Sequence, residues 1–233
     1  MTNVGVEHCP SFISSQFQSA AADGAETQVG VRRAVTISRQ AGCGALAVAE
    51  KLARYLQERS SRPSVPWTVF DRNLIDKVLE EHDLPKNLAK FLPEDRVSEV
   101  EDLVTDILGT YPPLWKVVIH TAETILRLAN MGNVILIGRG GNIITAKMQG
   151  VLHVRLVAPL EKRIAHAHEA YGMTEDAARD FCQHEDRGRA RYFKKYFNAD
   201  VNDPLLYHLI INTGLVSYDD AAKIIGDAVF NLR

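Results

Sequence analysis

The sequence predicts an α/β domain built on a doubly wound, five-stranded parallel sheet. Three observations carry that expectation. Short apolar runs alternate along the chain with segments whose apolar residues recur at helical spacing. One run, Val134-Ile135-Leu136-Ile137, is apolar without interruption, as suits a strand covered on both faces. Several runs end in glycine or a small polar residue, and in such sheets ligands sit at the carboxyl ends of the strands.

The elements follow in order. Met1 to Gly30 contains no Lys or Arg and is rich in Ser, Ala and Gln. It lacks the basic start and continuous apolar core of a signal peptide, so residues 1–32 are read as a mobile tail and 33–233 as the folded domain. Ala34-Val35-Thr36-Ile37 is the first strand. The turn-prone Ser38-Arg39-Gln40-Ala41-Gly42-Cys43-Gly44 follows, then a helix from Ala45 carrying Leu46, Ala49, Leu52, Ala53 and Leu56 on one face. A Ser/Pro connector leads to a second strand, Trp67 to Phe70, and Asp71 is placed to cap the next helix. The stretch 71–131 reads as helical segments broken by prolines, an inserted lobe between two strands. Val134–Ile137 is the third strand and Leu152–Val157 the fourth. A helix from Leu160 to Tyr171 stops at Gly172. Thr174 caps a long polar helix with Glu175 and Asp176 in its first turn. Leu209-Ile210-Ile211 is the fifth strand, and Ser217 caps the last helix.

Composition narrows the function. The chain has 233 residues, 46% of them hydrophobic and 24% charged, enough for a sizeable core. Lys plus Arg is 27 against 29 Asp plus Glu, a net charge of -2, which argues against a surface that coats nucleic acid. No apolar run has the roughly 20 residues needed to cross a bilayer. Cys9, Cys43 and Cys182 are odd in number and far apart, so no disulfide framework is expected and a cytoplasmic setting is the default.

Three segments carry candidate chemistry. Gly42-Cys43-Gly44, between a strand and a helix, lets backbone N–H groups approach an anion at the positive end of the helix. The phosphate-binding pattern G-x-x-x-x-G-K-[ST] is only partly met, because Arg39, Ala45 and Leu46 stand at its first Gly, its Lys and its Ser/Thr. Gly138-Arg139-Gly140-Gly141 sets an arginine between glycines at a strand end, with room to fork onto a phosphate. On a helix, Arg187, Arg191 and Lys194 share one face, and phosphoryl transfer calls for such charge on an element that closes over the phosphates. Asp71 suits a magnesium-bound water, a substrate hydroxyl or a plain helix cap. His166 and His168, two apart, do not share a helix face and make a poor metal pair.

In order along the chain, Ile37-Ser38-Arg39-Gln40-Ala41-Gly42-Cys43-Gly44, Phe70-Asp71-Arg72-Asn73-Leu74-Ile75, Ile137-Gly138-Arg139-Gly140-Gly141, Asp186-Arg187-x-Arg189-Ala190-x-Tyr192 and Asp203-Pro204-x-x-Tyr207-x-Leu209-x-x-Asn212-Thr213 resemble the cytidylate kinase-like family. That family is a branch of the P-loop nucleoside monophosphate kinases, and the likeness covers about residues 33 to 233. It implies a P-loop kinase-type fold with a helical NMP-binding insertion, 71–131, and an arginine lid, 174–200. It implies ATP and Mg2+ as cofactors, nucleotides as substrates, and no nucleic-acid or membrane partner. Ser38, Arg39, Gly42, Cys43, Gly44, Ala45 and Leu46 would wrap the donor phosphates. Asp71, Lys77 and Arg139 would hold the acceptor. Arg187 and Arg191, with Arg39, would neutralise charge during transfer, and Asn212 to Gly214 would lie near the donor base. The chain departs from the family at Ala45 and Leu46, where the Lys and a small or hydroxyl residue belong, and at Gly140, where an acid follows the matching arginine. The implied activity is transfer of the γ-phosphoryl group of ATP to CMP, dCMP or a similar acceptor. The alternative is a nucleotide-binding module with little or no turnover. A dinucleotide-binding reading ranks last, since no acid ends the second strand at the spacing it needs.

Overall fold

The computed structural model describes residues 32–60, 66–71 and 114–232. The tail and most of the expected lobe, with Lys77, lie outside the described residues. Five strands form one all-parallel sheet: β1 (Ala34–Arg39), β2 (Thr68–Phe70), β3 (Val134–Ile137), β4 (Val151–Val157) and β5 (Leu209–Asn212), in the order β2-β3-β1-β4-β5. The helices are α1 (Ala45–Glu58), α2 (Leu114–Met131), α3 (Gly141–Ile144), α4 (Leu160–Tyr171), α5 (Glu175–Phe197) and α6 (Tyr218–Asn231), with a 3-10 turn at Pro204–Leu206. The α/β class and the five-stranded parallel sheet are as the sequence predicts. Boundaries differ by one residue at β2, β4 and β5 and by two at β1. β1 runs on to Arg39, so Ser38 and Arg39 belong to the strand and the turn begins at Gln40; both pair with β4, opposite Arg155 and Leu156. The glycine segment that closes β3 leads into a short helix, α3, that the sequence does not predict.

Strand alternation sends successive residues to opposite faces, and the two faces have different partners. Val35, Ile37, Ile135, Ile137, Val154 and Leu156 pack under α1 and α6 in the larger core cluster. Ala34, Val134, Leu136 and Val151 face the other way, toward Ile125, Leu128 and Ala129 of α2. Along β1 and β4 this second face turns polar toward the carboxyl ends. Thr36 Oγ1 lies 2.8 Å from His153 Nδ1, and Arg155 donates to the Ser38 hydroxyl at 2.9 Å. Those four side chains are all buried. α5 covers the polar stretch through Tyr192 and Phe193, which pack with Val201, Ile143 and Phe197. Thr174 caps α5 by accepting from Ala177 N–H at 3.3 Å, and Ser217 caps α6 by accepting from Asp220 N–H at 3.1 Å. Among the described residues no helix is long and apolar enough to cross a membrane.

His153 gives the fold a pH signature. Burial, and then the stacked His208 ring with its centroid 4.8 Å away, hold its imidazole down to about 4. Above pH 6.5 the ring is neutral both folded and unfolded, so its contribution is level there. As pH falls from 6.5 towards 4 the unfolded chain takes up the proton first, and stability is lost through that window. Chemical denaturation at pH 7 and pH 5 should show a loss of up to about 2 kcal/mol, and His153→Gln should remove most of that difference. An unchanged pH dependence in the variant would refute the assignment.

Candidate active site

The turn between β1 and α1 is tied down from outside at each residue. Gln40 N–H donates to Leu156 O at 3.0 Å, and its side-chain oxygen accepts from Ala158 N–H. Ala41 N–H donates to Asp186 Oδ1 at 2.7 Å, and Ala41 O accepts from Arg163 Nη1 at 3.0 Å. Gly42 (φ 77°) lies so close to the Arg163 carbonyl that a Cβ would collide with it. Cys43 O accepts from the Thr213 hydroxyl at 2.9 Å. The Tyr218 ring is pressed against Gly44 (φ 75°), which opens α1 in a left-handed conformation. Only glycine satisfies both the sign of φ and the contact at these two positions. Among the described residues nothing accepts from the N–H groups of Gly42, Cys43, Gly44, Ala45 or Leu46. Backbone donors left over at a helix N-terminus make an anion site.

Cys43 sits inside this turn, 2% exposed. Burial pushes its thiol up to about 11, against the pull of Arg39, Arg189 and Arg163. It is a neutral packing group and offers no nucleophile. Ala45 packs against the core cluster, and Leu46 is half exposed. No ammonium therefore reaches the turn from the start of α1.

Positive charge comes instead from three other elements. Arg39 at the end of β1, Arg139 after β3 and Arg189 on α5 line one cleft, with Thr36 and Ser38 on its floor and Tyr192 and Phe193 on its wall. The Arg39 guanidinium lies against Gly138, where a Cβ would clash, and is 3.7 Å from the Asp71 carboxylate. Asp71 Oδ1 is buried and, among the described residues, accepts no hydrogen bond. Gly138, Arg139 and Gly140 are left-handed in succession, with φ of 89°, 56° and 69°. An arginine held there is strained, a cost of about 1–2 kcal/mol. The Phe197 ring occupies the space over Gly140 that a side chain would need. An acid at that position is sterically excluded in this arrangement.

The sequence expectations land unevenly. Arg39, Arg139 and Ser38 do come together. Arg187 and Arg191 are exposed on α5 and do not line the cleft; the buried arginine of that helix is Arg189, two residues from each and so on the opposite side. It donates to Glu185 at 2.8 Å and to Asp186 at 3.2 Å. The spacings of three and four residues to those acids are the signal that could have singled it out. Ser38 is committed elsewhere: its hydroxyl takes Arg155 and lies 3.3 Å from Tyr207 Oη, which donates to Val201 O at 2.8 Å. Arg155, also bonded to Asn202 and lying over the Tyr207 ring, and Arg163 escaped sequence reading because each sits in an otherwise ordinary strand or helix pattern.

A sequence profile described as the cytidylate kinase-like family matches residues 34–215. The chain belongs to that family. Over 110 residues it is 26% identical to the cytidylate kinase of Methanocaldococcus jannaschii, covering 46% of this chain and 62% of that enzyme. Over 91 residues it is 30% identical to a uronate isomerase of Corynebacterium glutamicum, covering 39% of this chain and 18% of that protein. This family member thus spans less than two thirds of either relative. A solved structure of an uncharacterized protein from Eubacterium ventriosum is similar with a TM-score of 0.62 at 18% identity, covering 86% of this chain and 99% of that one. That likeness concerns the fold.

Two outcomes test this geometry. In urea denaturation, Arg139→Gly should be more stable than Arg139→Ala by about 1 kcal/mol, because only glycine relieves the left-handed strain. Equal stability would place that strain elsewhere. Alkylation of the native protein with iodoacetamide at pH 8, read by peptide mass, should leave Cys43 unmodified.

Proposed function

We propose that the chain is a phosphotransferase that moves the γ-phosphoryl group of ATP to a nucleoside monophosphate, with CMP or dCMP as the acceptor the family favours. The observation that carries this reading is the set of unspent N–H groups from Gly42 to Leu46 at the start of α1, together with the three arginines that line the cleft at the end of β1. Those N–H groups suit the donor phosphates. Arg139, with Asp71 and Lys77 from the family likeness, is assigned to the acceptor. Arg39 and Arg189 line the same cleft as Arg139 and would supply the charge that a transferring phosphoryl group needs. The acceptor phosphate is already an oxyanion, so no general base is required of the protein.

The residues present fit magnesium in one respect. Magnesium in such a setting is held mainly by phosphates and water, with one or two carboxylates beside it. The buried, unsatisfied Asp71 Oδ1 is the carboxylate best suited to such an ion or its water. When bound, Mg2+ supplies charge neutralisation on the phosphates. Leu46 offers no hydroxyl to it.

The second reading, a nucleotide-binding module with slow or no turnover, is favoured by Ala45 alone. A coupled ADP-release assay over the nucleoside monophosphates separates the two: turnover with at least one of them is expected, and ATP binding without turnover on any would select the module. Within the kinase reading, Arg189→Ala should lower kcat by about 10²–10³, whereas Arg187→Ala and Arg191→Ala change it less than about fivefold. The opposite ranking would return the lid role to the exposed pair.

A further inference from the structure

We propose that Asp186 is the positioning residue that holds the β1–α1 turn open and couples it to the arginine of α5. The proposal rests on reading that turn as a phosphate cradle. Asp186 does three things with one carboxylate. Oδ1 accepts from Ala41 N–H at 2.7 Å and from Arg189 at 3.2 Å, and Oδ2 accepts from Arg163 at 2.7 Å. Arg163 closes the circuit: the same Nη1 also donates to Ala41 O, and Nε donates to Ala158 O. Both polar groups of the Ala41 backbone are therefore engaged, one by the acid and one by its partner base. Arg163 is 8% exposed in its side chain and Arg189 9%, while Asp186 is 27% exposed, so each guanidinium is largely out of water, where charge-assisted bonds are strong.

The placement of the carboxylate distinguishes a brace from a plug. Asp186 takes the N–H of Ala41, before the first left-handed glycine, and leaves the donors from Gly42 onward unspent. A carboxylate competing for the phosphate position would instead lie on those later donors. Ala45 adds the need for such a device, since no side chain from the start of α1 crosses the turn to hold its shape. The shape is held from α5, the helix that also carries Arg189. Any movement of α5 that withdraws Arg189 from the cleft also pulls on Ala41.

The test compares Asp186→Ala, Asp186→Asn and Glu185→Gln in the full chain. Amide hydrogen exchange is followed at Gln40 and Ala41, the turn residues whose N–H groups have acceptors, and inorganic tripolyphosphate binding is measured by calorimetry. Removing an acid beside an anion site should by charge alone tighten tripolyphosphate. The brace requires the reverse: Asp186→Ala binds it about tenfold more weakly, the size of one charge-assisted hydrogen bond, and the turn exchanges at least about tenfold faster. Asp186→Asn, whose amide oxygen still accepts from Ala41, restores most of both. Glu185→Gln loosens Arg189 but leaves exchange at the turn unchanged. Tighter or equal binding by Asp186→Ala, or unchanged exchange, overturns the proposal. Should Asp186→Ala fail to fold, Arg163→Gln, which removes the other tie to Ala41, must itself speed exchange of the turn, and unchanged exchange there overturns it equally. A parent protein that does not bind tripolyphosphate, while exchange responds as described, removes the phosphate-cradle reading and leaves the brace in place.

Discussion

The site depends on one constraint: Gln40 N–H, Ala41 N–H, Ala41 O and Cys43 O find their partners on other elements of the protein, while the N–H groups from Gly42 to Leu46 have no acceptor among the described residues. Buried backbone donors and acceptors that lack partners are costly. A five-residue turn could meet that demand by closing on itself. Here it is met in part from outside, by β4, α4, α5 and the loop after β5. The left-handed glycines are consequences of the same demand. Each lies against a neighbouring backbone or ring at a distance no Cβ permits.

The polar floor of the cleft follows from where β1 ends. Because β1 continues two residues past its apolar run, Ser38 stands opposite Arg155 and Arg39 opposite Leu156. Alternation then sends Ser38 to the face covered by α5 and Arg39 to the rim. A strand that stopped at Ile37 would leave both in a loop, and the guanidinium of Arg155 would lose its hydroxyl acceptor. Burial of that charge is met by neutral acceptors and an aromatic face, a workable arrangement because guanidinium is weakly hydrated and planar.

The sheet was legible because its signals are local. Val134–Ile137 is uniformly apolar and occupies those residues as β3; Gly172 ends α4 through its left-handed backbone, and the Ser217 hydroxyl begins α6. The glycine turn and Arg139 were legible for the same reason, since a run of glycines at a strand end constrains the backbone whatever surrounds it. What escaped is what tertiary contact decides. Helical spacing put Arg187 and Arg191 on one face and could not say which face α5 buries; the hydrophobic pattern Ala178, Cys182, Gly188, Tyr192 and Phe193 places Arg189 inside with them. Nor could Arg163, Asp186 or Phe197 be paired with Ala41 and Gly140 before the fold brought together elements more than 50 residues apart along the chain.

The two departures from the family pattern have one physical logic. Where an ammonium would rise from the start of α1, Ala45 packs into the core. Where an acid would follow the cleft arginine, Phe197 lies on Gly140. Both changes strip a point charge from a secondary-structure terminus and leave guanidinium groups on β1, the β3–α3 turn and α5 to set the field. Guanidinium differs from ammonium in kind: it is planar, keeps its charge through burial and meets two oxygens at once. On the proposed reading a cleft built from it binds by orientation as much as by attraction, and for Arg189 the orientation comes from Glu185 and Asp186, which accept from its fork, while Asp71 lies 3.7 Å from Arg39. Those acids lower the net positive charge that a phosphate would feel. They also remove the freedom of long side chains, whose immobilisation would otherwise oppose binding. On the proposed reading, the balance favours a site that discriminates by geometry over one that gathers anions by charge alone.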